Sequence, residues 1–457
     1  MKMAPLTTTD NSILKLENIS EDDLANLKEL AKPSISSLCR DEHPNLLIFP
    51  PDLGAYGDKI GEQKIITITE DAIETGNVMG FIGYRGTKLR IKSRFTDKDG
   101  NDYFLHYMLQ KVLSINLFDL KYDSDRESIF DFLIYLFPAY LKRAIRQGVY
   151  KEYQTRRYND SNVKGRIDIN RHIRCNTPFA GNVAYSTREY ATDNHVTQLI
   201  RHTIDYISNH KYCGGILHND EETADAVSMI YEATPSYSYR DRGYVVNQNL
   251  RSVSHPYYLE YLPLQKLCLQ ILRHEEMKYG NDNDEIYGIL FDGAWLWEEY
   301  LDTILKKLSF THPRNRTDYK GKMIFVDPRK VLAQPDFYIE NKIVLDAKYK
   351  RHKGLFDEKQ REDRFQLLAY MHIFNANVSG LVVPVPTDSE KLNHGIINGR
   401  GGVMYLIGME VDSNVDNIED YRKHMEYQEN KLIHLIATIT NNSHIVDIKN
   451  SNRIIAS

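Results

Sequence analysis

Apolar positions follow two different rhythms along this chain, and the changes between them divide it. The opening forty residues are polar and mixed, with SEDDLANLKELA reading as a short helix capped by Ser20 and acidic in its first turn. Residues 1–44 therefore read as an appendage. From Asn45 to about Arg94, short β-branched and aromatic runs alternate with glycines (NLLIFPPDLG, KIITIT, NVMGFIGYRG, TKLRIKSRF), which predicts a β-rich module. In TKLRIKSRF the alternation puts Leu89 and Ile91 on one face and Lys88, Arg90 and Lys92 on the other. Such a row is either a solvated strand face or a basic contact surface. Residues 102–148 then carry apolar positions at spacings of three and four, predicting two helices; the second should kink or split at Pro138 and end at Gly148.

A further helix is expected over ATDNHVTQLIRHTIDYI, with Thr192 and Asp193 as cap candidates. The Gly-, Asn- and Asp-rich stretch KYGNDNDEIYG marks a boundary, so that residues 45–280 form a β-rich plus helical region and 281–457 a separate domain. Beyond it the order is helix, three strands, helix, two strands, helix, an α/β or mixed α+β pattern around a central sheet.

Composition narrows the class. At 457 residues, 42% hydrophobic and 26% charged, the chain suits two or three folded domains and no disordered or fibrous architecture. A net charge of -5 excludes a protein that holds nucleic acid by global charge, so any such contact is local or shared with a partner. Four cysteines without a CxxC pair suggest neither a zinc site nor a disulfide framework. The N-terminal residues lack the apolar core of a signal peptide, and no apolar run approaches the roughly 18 residues of a membrane span. A cytoplasmic protein without membrane contact is expected. The segment YKEYQTRRYNDSNVKGRIDINRHIR interleaves Tyr with Arg and Lys, including Arg166, and suits either a nucleic-acid groove or a polar linker surface.

Candidate chemistry concentrates in QPDFYIENKIVLDAKYK, residues 334–350, which reads as two strands joined by a tight turn at Glu340, Asn341 and Lys342. Pairing symmetric about Asn341 sets Asp336 opposite Asp346, and strand alternation adds Lys348 to the face of Asp346. Two carboxylates that close repel each other, and a hard divalent cation, Mg²⁺ or alternatively Mn²⁺, relieves the repulsion while bridging to phosphate oxygens. An amine beside them can orient or deprotonate water and neutralise developing charge. The chemistry expected is metal-assisted phosphodiester hydrolysis.

The spacing of Pro335-Asp336 and Asp346-Ala347-Lys348 resembles the PD-(D/E)XK nuclease motif. Upstream, AWLWEEYL offers Glu298 and Glu299 on the helix where that superfamily often carries another acidic metal ligand. Downstream, Gln366 and Tyr370, four apart on one helix face, resemble its QxxxY element. The order of further pieces (LRIKSRFTDKDGNDYFLHYML, AIRQGVYKEY, VKGRIDINRHI, TDNHVTQLIRHTI, WLWEEYL, LDAKYK) is similar to the McrC family, the endonuclease subunit of McrBC-type 5-methylcytosine restriction systems, over most of the chain.

That resemblance implies a C-terminal PD-(D/E)XK-type domain with a central mixed sheet flanked by helices, and N-terminal and central parts that dock on a ring of McrB-like AAA+ GTPase subunits and stimulate them. It implies catalytic roles for Asp336, Asp346 and Lys348, with Glu298 matching the acidic element of the preceding helix; Trp297 replaces that element's phenylalanine and Glu299 follows it. Arg85, Lys88, Arg90 and Arg166 are candidates for partner or DNA contact. Recognition of modified cytosine in double-stranded DNA is expected in the partner. Without a GxxxxGK(S/T) loop, this chain should bind no nucleotide itself. Two alternatives stand beside this reading: an assembly scaffold and NTPase activator with a vestigial site, and a stand-alone DNA repair nuclease.

Overall fold

The computed structural model describes residues 6–40, 46–50, 61–96, 102–113, 126–210, 214–218, 220–277, 286–313, 321–326, 331–352, 354–387, 392–399, 401–411, 415 and 417–441. The fold is mixed α/β, as the patterning predicts. Contacts group the chain into two compact units: Met1–Asp119 with Asn283–Ser457, and Leu120–Asp282 between them. This grouping cuts across the segments 1–44, 45–280 and 281–457 read from the sequence. Most of the Gly- and Asn-rich boundary stretch, 278–285, lies outside the described residues.

In the first unit, a five-stranded sheet runs in the order Leu6–Thr9, Thr87–Lys92, Val78–Tyr84, Tyr287–Asp292, Leu46–Phe49. The first forty residues are therefore no appendage. Leu6–Thr9 pairs in parallel with Thr87–Lys92, and Leu27 and Leu30 of helix Glu21–Leu30 share a core with Ile82, Leu89 and Ile91. The cap at Ser20 is as expected, its hydroxyl accepting from Asp23 N at 3.1 Å. Leu89 and Ile91 are buried, but the opposite face is not simply solvated: Lys88 and Arg90 are half-buried and Lys92 is buried.

A second five-stranded sheet runs in the order Phe337–Ile339, Ile343–Ala347, Val378–Val385, Val403–Glu410, Leu392–Ile396. Its pairings are antiparallel at both edges and parallel in the middle. Every residue of Val378–Val385 is buried, as a central strand covered on both faces requires. Helices Gly293–Leu305 and Arg361–Ile373 pack on Ile343–Ala347, and Trp297 of the former donates from its indole to Val382 O at 3.2 Å.

The second unit holds a three-stranded antiparallel ribbon, Glu152–Asp160, Val183–Ala191 and Arg166–Ile167, and helices Arg126–Ile145, His195–Ser208, Glu221–Ala233 and Tyr261–Met277. Helix Arg126–Ile145 runs through Pro138 without splitting. An interior proline costs about 3 kcal/mol, and the packing of Leu133, Ile134, Leu136, Phe137 and Leu141 in the interior offsets it. The cap of His195–Ser208 is Asn194, not Thr192 or Asp193: its side chain accepts from Val196 N and Thr197 N, both at 3.1 Å. Asp193 instead accepts from Gln198 and from Ser236 N.

His202 in this unit and His106 in the first are both buried, and burial pushes each ring down to about 4. Both ring nitrogens of His202 lack hydrogen-bond partners. A folded value below the ordinary 6.5 means that the unfolded chain takes up protons first, so stability is full above 6.5 and declines as pH falls toward 4. Each histidine should remove up to about 3 kcal/mol over that window. Thermal melts between pH 7 and pH 4 should show the decline, and His202→Phe should make it shallower.

Candidate active site

The hairpin pairs Phe337 with Leu345, Tyr338 with Val344 and Ile339 with Ile343. Extending that register by one residue sets Asp336 opposite Asp346. The turn works because Asn341 tolerates a left-handed backbone, φ +61°, and Lys342 N closes it on Ile339 O at 3.1 Å. A one-residue slip would move Asp346 and Lys348 to the opposite face.

Asp346 is withdrawn from water and Asp336 is half-buried. Asp336 Oδ2 accepts from Ala347 N at 2.6 Å, and burial, then the charge of Asp346, then that of Glu298 push the Asp336 carboxyl well above the usual range. Asp346 is 2% exposed, and burial raises its carboxyl against the pull of Lys348. Burial works to lower Lys348, but the charges of Asp346 and Asp336 outweigh it and hold the ammonium above its ordinary value. The Lys348 Nζ stands 2.6 Å from Asp346 Oδ2, so the ammonium and the buried carboxylate form a close ion pair.

Behind the lysine runs a polar chain. Lys348 Nζ donates to Gln366 Oε1 at 3.4 Å, Gln366 Nε2 donates to the Tyr370 hydroxyl at 3.0 Å, and that hydroxyl donates to Gln334 O at 3.2 Å. The QxxxY pair thus ties Lys348 to the residue preceding Pro335. Glu298 stands on helix Gly293–Leu305, half-buried, 3.7 Å from His312 Nε2. His312 Nδ1 in turn donates to Asp336 O at 2.7 Å, and its ring stacks on Phe337 at 4.8 Å.

Five of the residues singled out in the sequence therefore surround one point: Asp336, Asp346, Lys348, Gln366 and Tyr370, with Glu298 at their border. Arg85, Lys88 and Arg90 belong instead to the hairpin of the N-terminal sheet, where Arg85 occupies the turn at φ +48° over the Tyr84 ring. Arg166 lies exposed on the ribbon of the second unit. Three neighbours of the site were missed in the sequence: His312, Lys350 and Asp363. The last two had a faint signal, since Lys350 repeats the strand period after Lys348 and Asp363 lies one helical turn before Gln366.

The donor set suits a hard divalent ion. The buried Asp346 and the half-buried Asp336 both have carboxyls raised above the usual range, as two acids do that share a site short of positive charge. Among the described residues, no three His, Cys, Asp or Glu side chains stand in an arrangement that could hold a metal by themselves. Two protein carboxylates with water and phosphate oxygens are the usual coordination of Mg²⁺.

A family model described as McrBC 5-methylcytosine restriction system component matches residues 73–384, a span that includes all of these site residues. The chain belongs to the McrBC family. No curated protein matches this McrBC-family chain. Among solved structures, it is similar to the refined half-complex from a tetradecameric assembly of Thermococcus gammatolerans McrB AAA+ hexamers with bound McrC, at 15% identity and a TM-score of 0.48, covering 94% of this chain and 100% of that one. The cryo-EM structure of the Thermococcus gammatolerans McrBC complex is similar at 16% identity and a TM-score of 0.33, covering 70% and 90%. Among the described residues, no helix is long and apolar enough to cross a membrane.

Proposed function

We propose that this McrBC-family chain is a Mg²⁺-dependent endodeoxyribonuclease subunit, cutting double-stranded DNA that carries modified cytosine under the control of an AAA+ GTPase partner. The observation that carries the reading is the convergence of a buried carboxylate, a half-buried one and a paired ammonium at one end of a sheet, in a chain of a restriction family. Asp336 and Asp346 would hold the ion, with Glu298 adding negative charge at the border. When bound, the ion would activate water and neutralise the phosphoryl oxygens. Lys348, kept protonated by its neighbours, donates a hydrogen bond to the attacking water or the phosphate and supplies positive charge as the phosphorane develops. Gln366 and Tyr370 fix its reach.

Docking on the partner is part of the same proposal. In the Thermococcus gammatolerans half-complex, McrC is bound to McrB AAA+ hexamers. Segments of the second unit suit protein contact: Ile167, Ile169, Ile173 and Phe179, which follow Arg166 in sequence, are all exposed, three of them by more than half. Cytoplasmic location and the absence of a nucleotide site in this chain complete the reading.

Cleavage should require the chain, the AAA+ partner, GTP and Mg²⁺ together, should favour methylated over plain DNA, and should stop when the metal is chelated. Partner GTPase stimulated without any cutting would favour the scaffold reading. Cutting by the purified chain alone would favour a stand-alone nuclease.

A further inference from the structure

We propose that Asp363 is a positioning residue for Lys348, which it serves by capturing the neighbouring Lys350. The proposal rests on the nuclease reading of the site. Lys348 and Lys350 follow strand Ile343–Ala347 and both turn toward helix Arg361–Ile373, while Tyr349 between them is buried on the other side against Ser93 and Met79. Two ammonium groups so close on one face repel each other, and each stem is long enough to compete for the acidic pocket. Asp363 stands between them. Its Oδ2 pairs with Lys350 Nζ, and its Oδ1 lies 4.0 Å from Lys348 Nζ. Lys348 is left as the amine that meets Asp346 and Gln366.

An acid in the first turn of a helix ordinarily needs only the helix dipole to explain it. Glu362 fills that part, being acidic, exposed and in the same turn. Asp363 differs, because its side chain is only 13% exposed and faces two lysines.

The test uses the full chain with its AAA+ partner. Asp363→Asn should lower the cleavage kcat roughly ten- to hundredfold, the usual cost of a displaced catalytic group. Its affinity for DNA, measured in chelator, should stay equal or rise, because Lys350 is released to phosphate; the salt dependence should steepen by about one ion. Asp363→Glu should recover most of the rate. Adding Lys350→Met to Asp363→Asn should also recover it, since the competing amine is gone, an outcome that loss of helix packing would not give. Wild-type kcat in Asp363→Asn, or no recovery in the double variant, overturns the proposal while Lys348→Ala remains inactive. Full cleavage in Lys348→Ala would overturn the nuclease reading instead.

Discussion

Asp346→Ala is expected to lower DNA cleavage on the order of a thousandfold, the scale on which loss of one charge-stabilising group acts, while stimulation of the partner GTPase stays at its wild-type level. The two halves of this outcome follow from where the residue sits. Asp346 is buried at the end of a strand whose other contacts are apolar, and its polar neighbours are Asp336, Lys348 and Asp363. Removing it takes away one of the two carboxylates proposed to hold the ion and the ion-pair partner of Lys348 together. The proposed docking surface lies in the other compact unit. A second readout separates metal binding from chemistry: Mg²⁺ should raise the thermal midpoint of the wild-type chain, because a ligand of the folded state stabilises it, and should leave that of Asp346→Ala unmoved. An equal shift in both proteins, or cleavage within a few-fold of wild type, would remove the hairpin from the mechanism.

The second large effect is on stability. Arg94→Met should destabilise the first unit by about 3–5 kcal/mol, the cost of leaving a buried charge unpaired. Arg94 sits just after strand Thr87–Lys92 with its side chain 8% exposed, and Asp10 opposite it is fully buried. Arg94 donates from its backbone N to Asp10 Oδ1 at 2.6 Å and from Nε to Oδ2 at 2.8 Å; its Nη2 reaches Asn77 Oδ1 at 2.7 Å. Burial raises the Asp10 carboxyl even with this partner in place, and loss of the guanidinium takes away its charge and its side-chain hydrogen bond, leaving the backbone N at position 94 as a donor. Denaturant midpoints measure the loss. Adding Asp10→Leu to Arg94→Met should restore most of it, because two apolar groups replace a buried pair at little net cost. A single variant as stable as wild type would mean that the pair is dispensable.

This pair also bears on the candidate site. The guanidinium of Arg94 lies 4.9 Å from the centre of the Tyr349 ring, Ser93 Oγ lies 2.7 Å from the Tyr349 hydroxyl, and Arg351 donates to Arg94 O. Tyr349 is the residue between the two lysines. The N-terminal segment that supplies Asp10 therefore helps to seat the strand end that carries Lys348. Gly293 takes part as well, since a Cβ there would stand 2.7 Å from the Tyr349 ring.

The hairpin was legible in the sequence because its information is local. Period-two alternation fixes which side chains share a face, an asparagine marks the turn, and the register follows from symmetry about Asn341. The QxxxY pair was legible for a similar reason, since residues four apart on a helix are neighbours. The Ser20 cap needed no more than its own turn.

What the sequence by itself determined was therefore each element whose contacts lie within about a dozen residues: the mixed α/β pattern, the acidic hairpin with its lysine, and the helix behind it. Only the tertiary structure decided that Leu6–Thr9 belongs to the N-terminal sheet, that Leu120–Asp282 forms a compact unit between two parts of another, and that Pro138 stays within an unbroken helix. It alone brought His312 and Asp363 to the site, and it seated Tyr349 on Ser93, 256 positions away. The physical reason is the range of the forces involved. Backbone periodicity and turn preferences act between near neighbours along the chain, whereas burial and charge pairing join whatever the packing brings together.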